Sequence, residues 1–242
     1  MPKKQSNTPQ GEEGQRLSKR VMQEAGCSRS TAEQYIEGGW VLVDGKAQEE
    51  PSARVSDAQR VEVSRDANLF ELLPVTLLLN RPADCKDPLA LLTAETHSST
   101  DPQARRVRVL QRHFKRLEDC APLNVKLSGL MVFTQDRNIA RRLIEDAATI
   151  ENECIVEVSG DVEAADLASL RSGEMLPPAK VSRQNETHLR FALSARAVNA
   201  IPALCAAVGL KALHIRRIRI GRVPLSKLPE GEWRYLALGE RF

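Results

Sequence analysis

The chain has few aromatic residues and no long apolar run. Phenylalanine, tryptophan and tyrosine make up 4% of its 242 residues, which argues against a surface on which bases stack along aromatic rings. Its longest apolar stretches, such as Val75–Leu79, are far shorter than the ~20 residues that a membrane-spanning helix needs. Residues 1–14 are polar and lack the apolar segment of a secretory signal. These absences predict a soluble, cytosolic protein that does not bind membranes.

Common cofactor and metal motifs are also absent. No Walker A loop, GxGxxG, HExxH or GxSxG motif occurs, so nothing indicates a nucleotide cofactor or a common hydrolase site. The histidines have no metal-ligand spacing with cysteine or acidic partners. The cysteines are too far apart for a CxxC pair, which favours reduced thiols in the core. We therefore expect neither a metal nor a cofactor. The five cysteines are Cys27, Cys85, Cys120, Cys154 and Cys205.

The order of apolar patterns divides the chain into a small head and a larger body. Hydrophobic residues make up 42% of the sequence, enough for a substantial core. Two helical patterns and a hairpin signal come first, and strands mixed with helices follow, which predicts an α+β fold. The expected segments are a disordered tail at 1–14, a head at 15–64, a linker at 65–74 and a body at 75–242.

Basic residues are concentrated in the predicted head. Arg16, Lys19 and Arg20 are spaced so that they can share one side of a helix. Arg29 precedes a second predicted helix, for which residues 30–33 form a capping box, and the amides of its first turn could bind a phosphate. Lys46 follows the Asp44-Gly45 hairpin turn. These residues are candidates for contacting nucleic acid, and the alternative is an ordinary solvated helix.

The head resembles the S4 RNA-binding module over its whole length. The resemblance implies that Arg16, Lys19, Arg20, Arg29 and Lys46 face RNA. The matching segments are Arg16-Leu17-Ser18-Lys19-Arg20, Ala25-Gly26, Ser28-Arg29, Ala32-Glu33, Gly39 and Val43-Asp44-Gly45-Lys46.

The body resembles the RsuA/RluF-type pseudouridine synthases, which carry an S4 head before their catalytic domain. This resemblance implies a mixed, mainly antiparallel sheet. It also implies isomerisation of uridine to pseudouridine in structured ribosomal RNA. The matching segments are Asn80-Arg81-Pro82, Ser128-Gly129-Leu130, Thr134-Gln135-Asp136, Val208-Gly209, Arg216–Gly221 and Leu228–Arg234.

The resemblance fails at the residues that carry the family's chemistry. Counting back from Gly129 places Asn124 at the family's aspartate, and Pro122 stands where that motif has arginine. A neutral amide is a poor nucleophile and not a general base. The family's stacking tyrosine falls at Cys154, and an arginine pair falls at Pro202-Ala203. The sequence therefore predicts a catalytically impaired homologue that still binds RNA.

Two alternatives remain open. An active synthase could use a displaced carboxylate near Asn124, for which Glu118 and Asp119 are the candidates, and Asp119 is the nearer match. Such a displacement would need a looped-out insertion before the Gly129 strand. The third hypothesis is a protein-interaction scaffold that no longer binds RNA.

Further basic residues of the body are candidates for binding RNA. The stretch Arg105–Arg116 contains no acidic residue and could neutralise several phosphates. Arg217 and Arg219 are two residues apart on a predicted strand, so they are expected to share a face. The partner implied is structured RNA, and a monomer is expected. The body residues predicted to contact RNA are Arg105, Arg106, Arg108, Arg217 and Arg219.

Overall fold

The computed structural model describes residues 14–69, 72–101, 107–160, 162–163, 167–170 and 179–242. The chain forms two compact units, of which the first extends to Leu73 and also includes Val109–Lys115. The second consists of Pro74–Arg108 and Arg116–Phe242. Most of the predicted tail, and parts of a helix predicted at 160–175, lie outside the described residues.

The segment Val109–Lys115 corrects the prediction of one continuous body from residue 75 onward. It packs within the first unit, where the Gln111 amide donates to the Glu49 carboxylate (2.7 Å). The Lys115 ammonium lies 3.1 Å from the Glu50 carboxylate. Part of the Arg105–Arg116 run is therefore a structural segment of the first unit. The polar character of residues 109–115 could not predict this packing, because the acceptors lie about sixty residues earlier in the chain.

The first unit contains two helices and short antiparallel strands. Strand β1 pairs with β4, and β2 pairs with both β3 and β5. The helices pack on a core of Leu17, Val21, Ala32, Ile36, Val41, Val55 and Val61. The elements are β1 (Gln15–Arg16), α1 (Leu17–Ala25), α2 (Arg29–Glu37), β2 (Val41–Val43), β3 (Lys46–Ala47), β4 (Arg54–Val55) and β5 (Val61–Val63).

Local sequence signals explain the ends of these elements. Gly26 ends α1 in the left-handed conformation (φ 60°), which glycine adopts without steric cost. Asp44 and Gly45 both have positive φ and connect Val43 to its partner Lys46, as a two-residue hairpin turn requires. The predicted capping box at 30–33 is wrong, because α2 begins earlier. Its N-cap is Ser28, whose hydroxyl accepts from the Thr31 amide at 3.1 Å.

The second unit is built around a nine-stranded sheet. Its main order is β10-β11-β9-β12-β8-β6-β14, with β13 paired to β12 and β7 paired to β8. The β8–β12 pairing is parallel and the other pairings within this sheet are antiparallel. The predicted α+β class with a mixed, mainly antiparallel sheet is confirmed. The strands are β6 (Thr76–Arg81), β7 (Glu118–Asp119), β8 (Ser128–Thr134), β9 (Glu151–Ser159), β10 (Lys180–Arg183), β11 (His188–Ser194), β12 (Lys211–Ile220), β13 (Val223–Pro224) and β14 (Trp233–Tyr235).

Helices cover this sheet only in part. Helix α3 (Arg137–Glu145) follows β8, and the Asp136 carboxylate caps it by accepting from the Asn138 amide at 2.8 Å. A predicted helix at 198–208 is shorter than expected, because a 3-10 helix (Ala195–Ala200) precedes α4 (Ile201–Ala207). Other 3-10 helices are Pro88–Leu91 and Gln111–Phe114. Among the described residues, no helix combines the length and apolarity needed to cross a membrane.

Gly129 allows β8 and β12 to approach each other closely. Its φ is +101°, and a Cβ added there would lie 2.2 Å from the carbonyl oxygen of Arg217. Real side-chain carbons do not come this close to another atom, so another residue would displace one strand. The glycine therefore fixes the position of Arg217 relative to the loop that leads into β8.

Candidate functional site

The buried side chain of Arg81 organises the loop that carries Asn124. It lies at the end of β6, is 3% exposed, and donates to the carbonyl oxygens of Leu123 (3.1 Å), Asn124 (2.7 Å) and Val125 (2.9 Å). It also donates to the Leu127 carbonyl oxygen. Burial lowers the pKa of this guanidinium from its ordinary value. Arg81 thus acts as a cationic clamp on the main chain of residues 123–127, and it makes no direct bond to the Asn124 side chain.

Arg217 holds the residues that precede this loop. It is 2% exposed, and its side chain donates to the carbonyl oxygens of Leu130 (2.7 Å) and Ala121 (2.5 Å). Burial lowers its pKa to about 10. Its guanidinium is therefore unavailable to an RNA phosphate, contrary to the sequence-based prediction. Its interior position arises because Arg217 follows Ile215 on the buried face of β12.

Arg219 does not share the face of Arg217, because a register shift interrupts β12 between the two residues. Such a β-bulge inserts a residue and changes the direction of the following side chains. Arg219 instead bonds to Glu151 (2.8 Å) and Glu153 (2.6 Å), and Arg190 also bonds to Glu153. These bonds lower the pKa of Glu153 to about 2, and the bond from Arg219 contributes most. Arg219 therefore belongs to an ion-pair network across three strands.

Asn124 presents an exposed carboxamide at the start of the loop. Its Oδ1 accepts from the Lys126 amide at 3.3 Å, and its own amide donates to Oδ1 of Asn199 at 2.8 Å. Asn199 belongs to the 3-10 helix before α4. The loop is thus fixed from three directions, by Arg81, Arg217 and Asn199, and the side chain at its exposed position carries no charge.

The other positions at which the sequence departs from the family pattern are dispersed. Pro122, Pro202 and Ala203 are exposed and supply no cation. Cys154 lies on the buried face of β9, opposite Arg217, with no exposed surface. Burial raises the pKa of the Cys154 thiol to about 12. A base could not stack on this side chain, and the thiol is not a nucleophile at neutral pH.

Two carboxylates are candidates for a displaced nucleophile. One lies close to Asn124 in the sequence, and the other lies close to the Asn124 loop in the fold. Asp119 belongs to β7, opposite Phe133, and its Oδ1 accepts from the Ala121 amide at 3.2 Å. Desolvation raises the pKa of Asp119. Sequence reasoning missed Asp84, whose amide donates to the Val125 carbonyl at 2.8 Å. Its carboxylate pairs with Lys126 at 2.8 Å, and this hydrogen bond lowers its pKa.

A cationic groove lies on the first unit. The pairing of β1 with β4 places Arg16 directly opposite Arg54. Arg16 and Arg54 line a groove together with Lys19 and Arg29, which come from the two helices. Asp57 is the acidic residue in its lining. Sequence reasoning missed Arg54, because only the strand pairing brings residue 54 beside residue 16.

The remaining predicted RNA-contacting residues lie apart from this groove or could not be placed. The Arg20 side chain is 20% exposed and pairs with Glu24 at 2.9 Å and Asp57 at 3.6 Å. Lys46 is exposed on the β2–β3 hairpin, and Arg108 is exposed in the second unit. The described residues do not include Arg105 and Arg106.

No family model matches the chain. Comparison with known proteins finds relatives that are similar over most of its length. An uncharacterized RNA pseudouridine synthase of Aquifex aeolicus is 25% identical over 91% of this chain and 92% of its own length. The ribosomal large subunit pseudouridine synthase B of Escherichia coli K12 is 26% identical over 93% of this chain and 80% of its own. The Haemophilus influenzae protein of the same name is 27% identical over 96% of this chain and 67% of its own.

A solved structure shows the same architecture. The crystal structure of a pseudouridylate synthase matches 92% of this chain and 96% of its own, with a TM-score of 0.56 and 21% identity. This match establishes a shared fold, and the three sequence relatives all carry names of RNA pseudouridine synthases. The chain is therefore a homologue of the RNA pseudouridine synthases and has their fold.

Proposed function

We propose that this protein binds structured ribosomal RNA through its first unit and does not isomerise uridine. The observation that carries the proposal is the exposed, uncharged carboxamide of Asn124 on a loop whose two buried arginines, Arg81 and Arg217, are bound to main-chain oxygens. The resemblance to the pseudouridine synthases assigns a carboxylate to this position. An amide can neither attack the sugar or base nor accept a proton from it.

The surroundings of Asn124 support impaired catalysis beyond the single residue. The terminal nitrogens of Arg81 and the Nε and one terminal nitrogen of Arg217 donate to carbonyl oxygens, so these donors are already engaged by the main chain. Pro122 and Cys154 supply neither the cation nor the ring that the resemblance assigns to their positions. A lost carboxylate, a lost cation and a lost stacking surface are three separate departures from the pattern that the resemblance implies.

The groove of the first unit supports retained RNA binding. Arg16, Lys19, Arg29 and Arg54 line one concave surface with one acidic residue. A cluster of this kind fits the spaced phosphates of a folded RNA, and its affinity should fall steeply with salt. The resemblance of this unit to the S4 RNA-binding module supports the same proposal.

Two measurements on the purified protein test the proposal. Tritium release from RNA labelled at uridine C5 should stay at background with total ribosomal RNA, with the Escherichia coli pseudouridine synthase B as positive control. Binding of the same RNA should weaken as salt rises. The double variant Arg16→Gln/Arg54→Gln should bind less tightly, whereas Arg183→Gln, on a strand of the second unit, should behave as the wild type. Release above background, or binding that ignores salt, would overturn the proposal.

The second candidate function is that of an active synthase with a displaced carboxylate. The position of Asp84 favours this function over that of a protein-interaction scaffold. Asp84 is held against the Asn124 loop through Val125. Asp119 pairs with Phe133 in β7, and its carboxylate accepts from the Ala121 amide at 3.2 Å. If tritium release is detected, its loss in Asp84→Asn but not in Asp119→Asn would identify Asp84 as the carboxylate.

A further inference from the structure

A second group of cations lies on the unit that carries Asn124. Helix α3 presents Arg141 and Arg142 to solvent. Two depressions beside this helix share Arg142 and Arg241, and one includes Arg141 while the other includes Arg222. We call these four arginines and the depressions they line the α3 basic surface.

Close contact between two chain segments holds part of this surface in place. Gly221 has a φ of +55°, and a Cβ added there would lie 3.0 Å from the main chain of Phe242. Because these residues touch, their neighbours Arg222 and Arg241 come together although they are distant in sequence. The Phe242 side chain is 7% exposed and belongs to the hydrophobic core. The surface is therefore anchored on packed residues.

The arginines of the α3 basic surface are available to an external anion. Within the part of the chain that the structure describes, none of the four guanidinium groups makes a hydrogen bond or an ion pair. Two carboxylates of the lining are already neutralised, because Glu240 binds Arg234 (2.7 Å) and Glu151 binds Arg219 (2.8 Å). Glu145 and Asp146 also line the depressions, so four free cations face two free carboxylates.

We propose that the α3 basic surface binds the phosphate backbone of RNA as a second site, separate from the groove of the first unit. The inference rests on the proposed RNA binding and adds where the second unit contacts the RNA. Guanidinium groups suit phosphate oxygens because they offer paired donors in a fixed plane. The one aromatic side chain of the lining, Phe242, is buried and cannot stack on a base. Recognition here is therefore of backbone charge and not of base sequence.

The test measures how RNA affinity depends on salt for the full-length protein and a structured fragment of ribosomal RNA. The variant Arg142→Gln/Arg241→Gln removes the two cations that both depressions share. Each phosphate contact contributes about 0.7–0.9 to the slope of log affinity against log salt. Two lost contacts should therefore reduce the fall in affinity between ~50 and ~200 mM salt by about sevenfold to twelvefold.

Two controls separate a phosphate site from a general effect of charge. Arg142→Lys/Arg241→Lys keeps both positive charges and should retain most of the salt slope. Lys211→Gln/Lys227→Gln removes two exposed cations elsewhere on the second unit and should leave the slope near that of the wild type. Circular dichroism checks that all variants are folded.

The outcomes distinguish this inference from the proposed function. If the wild type binds RNA with a steep salt slope and Arg142→Gln/Arg241→Gln keeps that slope, the α3 basic surface is not an RNA site and the proposed function stands. If the Lys211/Lys227 control flattens the slope equally, the effect is one of net charge and the inference is overturned. If the wild type does not bind RNA, both the proposed function and this inference are overturned.

Discussion

Arg16 and Arg54 are direct cross-strand partners in the β1–β4 ladder of the first unit. Like charges at directly opposite positions destabilise a sheet, and both side chains line the groove that also contains Lys19 and Arg29. The Arg54 guanidinium donates to the Gly14 carbonyl at 2.8 Å, and an anion between the two arginines would relieve their repulsion. The pair is therefore the sharpest structural indication that the groove binds phosphate.

The Arg16–Arg54 pair should affect stability and binding in opposite directions. Replacing both residues with glutamine should weaken binding of ribosomal RNA and flatten its salt dependence. The same change should leave the unfolding free energy of the RNA-free protein unchanged or raise it by up to about 1 kcal/mol. Urea unfolding and RNA titration measure the two effects. A marked loss of stability would show that the pair serves the fold.

Arg20 provides a comparison within the same helix. Its side chain pairs with Glu24 and Asp57 and is only 20% exposed. We expect Arg20→Gln to reduce RNA affinity less than Lys19→Gln does, because Arg20 is already paired and does not line the groove. Equal losses in the two variants would mean that the groove residues have no special role.

Restoring a carboxylate at position 124 should not restore isomerisation. In Asn124→Asp the new side chain can still accept from the Lys126 amide, but Arg81 remains bound to carbonyl oxygens and Cys154 remains buried. We expect tritium release to stay at background and the unfolding free energy to change by less than about 0.5 kcal/mol. Substantial release by this single variant would show that the amide alone had blocked the chemistry.

Arg81 should be required for stability. Arg81→Met would remove the donor from the carbonyl oxygens of Leu123 and Leu127, whereas those of Asn124 and Val125 keep an amide donor. An unfulfilled buried acceptor costs about 1–3 kcal/mol, and the loop can relax in part. We expect a loss of roughly 3 kcal/mol by urea unfolding, against little change for exposed Arg183→Met.

Glu153 should make stability depend on pH in the acidic range. Arg219 and Arg190 hold the pKa of Glu153 at about 2. The folded state therefore takes up the proton of Glu153 at a lower pH than the unfolded state does. The contribution of Glu153 to the free energy of unfolding is fully present above its unfolded pKa of about 4.3. This contribution is lost as the pH falls toward 2. Glu153→Gln should therefore cost on the order of 3 kcal/mol at pH 7 and almost nothing near pH 2.

A matched variant isolates this effect in the unfolding measurements. Glu230 is exposed on the same unit and has no ion pair with the described residues. We expect Glu230→Gln to leave the pH profile of unfolding unchanged. If Glu153→Gln shows the same profile as the wild type, the network through Arg219 is not a source of stability.

Local patterns predicted much of the fold, and pairing over long distances accounts for what they missed. The apolar run 127–133 predicts a strand where β8 lies, residues 154–158 predict part of β9, and Gly26 and the Asp44-Gly45 turn mark the ends of elements. The resemblance to the pseudouridine synthases supplied the sheet type. The segment Val109–Lys115 could not be placed, since its partners Glu49 and Glu50 are distant in sequence.

The candidate site was harder to predict because side-chain direction depends on irregular backbone. Strict alternation placed Arg217 beside Arg219, but the bulge in β12 sends one guanidinium into the core and the other to Glu151. Arg54 and Asp84 were missed because each gains its importance from a partner on another segment. Motif spacing identified the Asn124 loop, and it could not reveal the two buried arginines that fix it.

Gly129 limits what the Ser-Gly-Leu motif indicates about function. The Ser-Gly-Leu segment matches the synthase pattern, yet its glycine is required by the close parallel pairing of β8 with β12 at Arg217, whatever reaction takes place nearby. A lineage that abandoned base isomerisation would still be unable to replace it without pushing two strands apart. The presence of this segment therefore reports how closely the two strands must pack, and it does not by itself indicate which reaction the protein carries out.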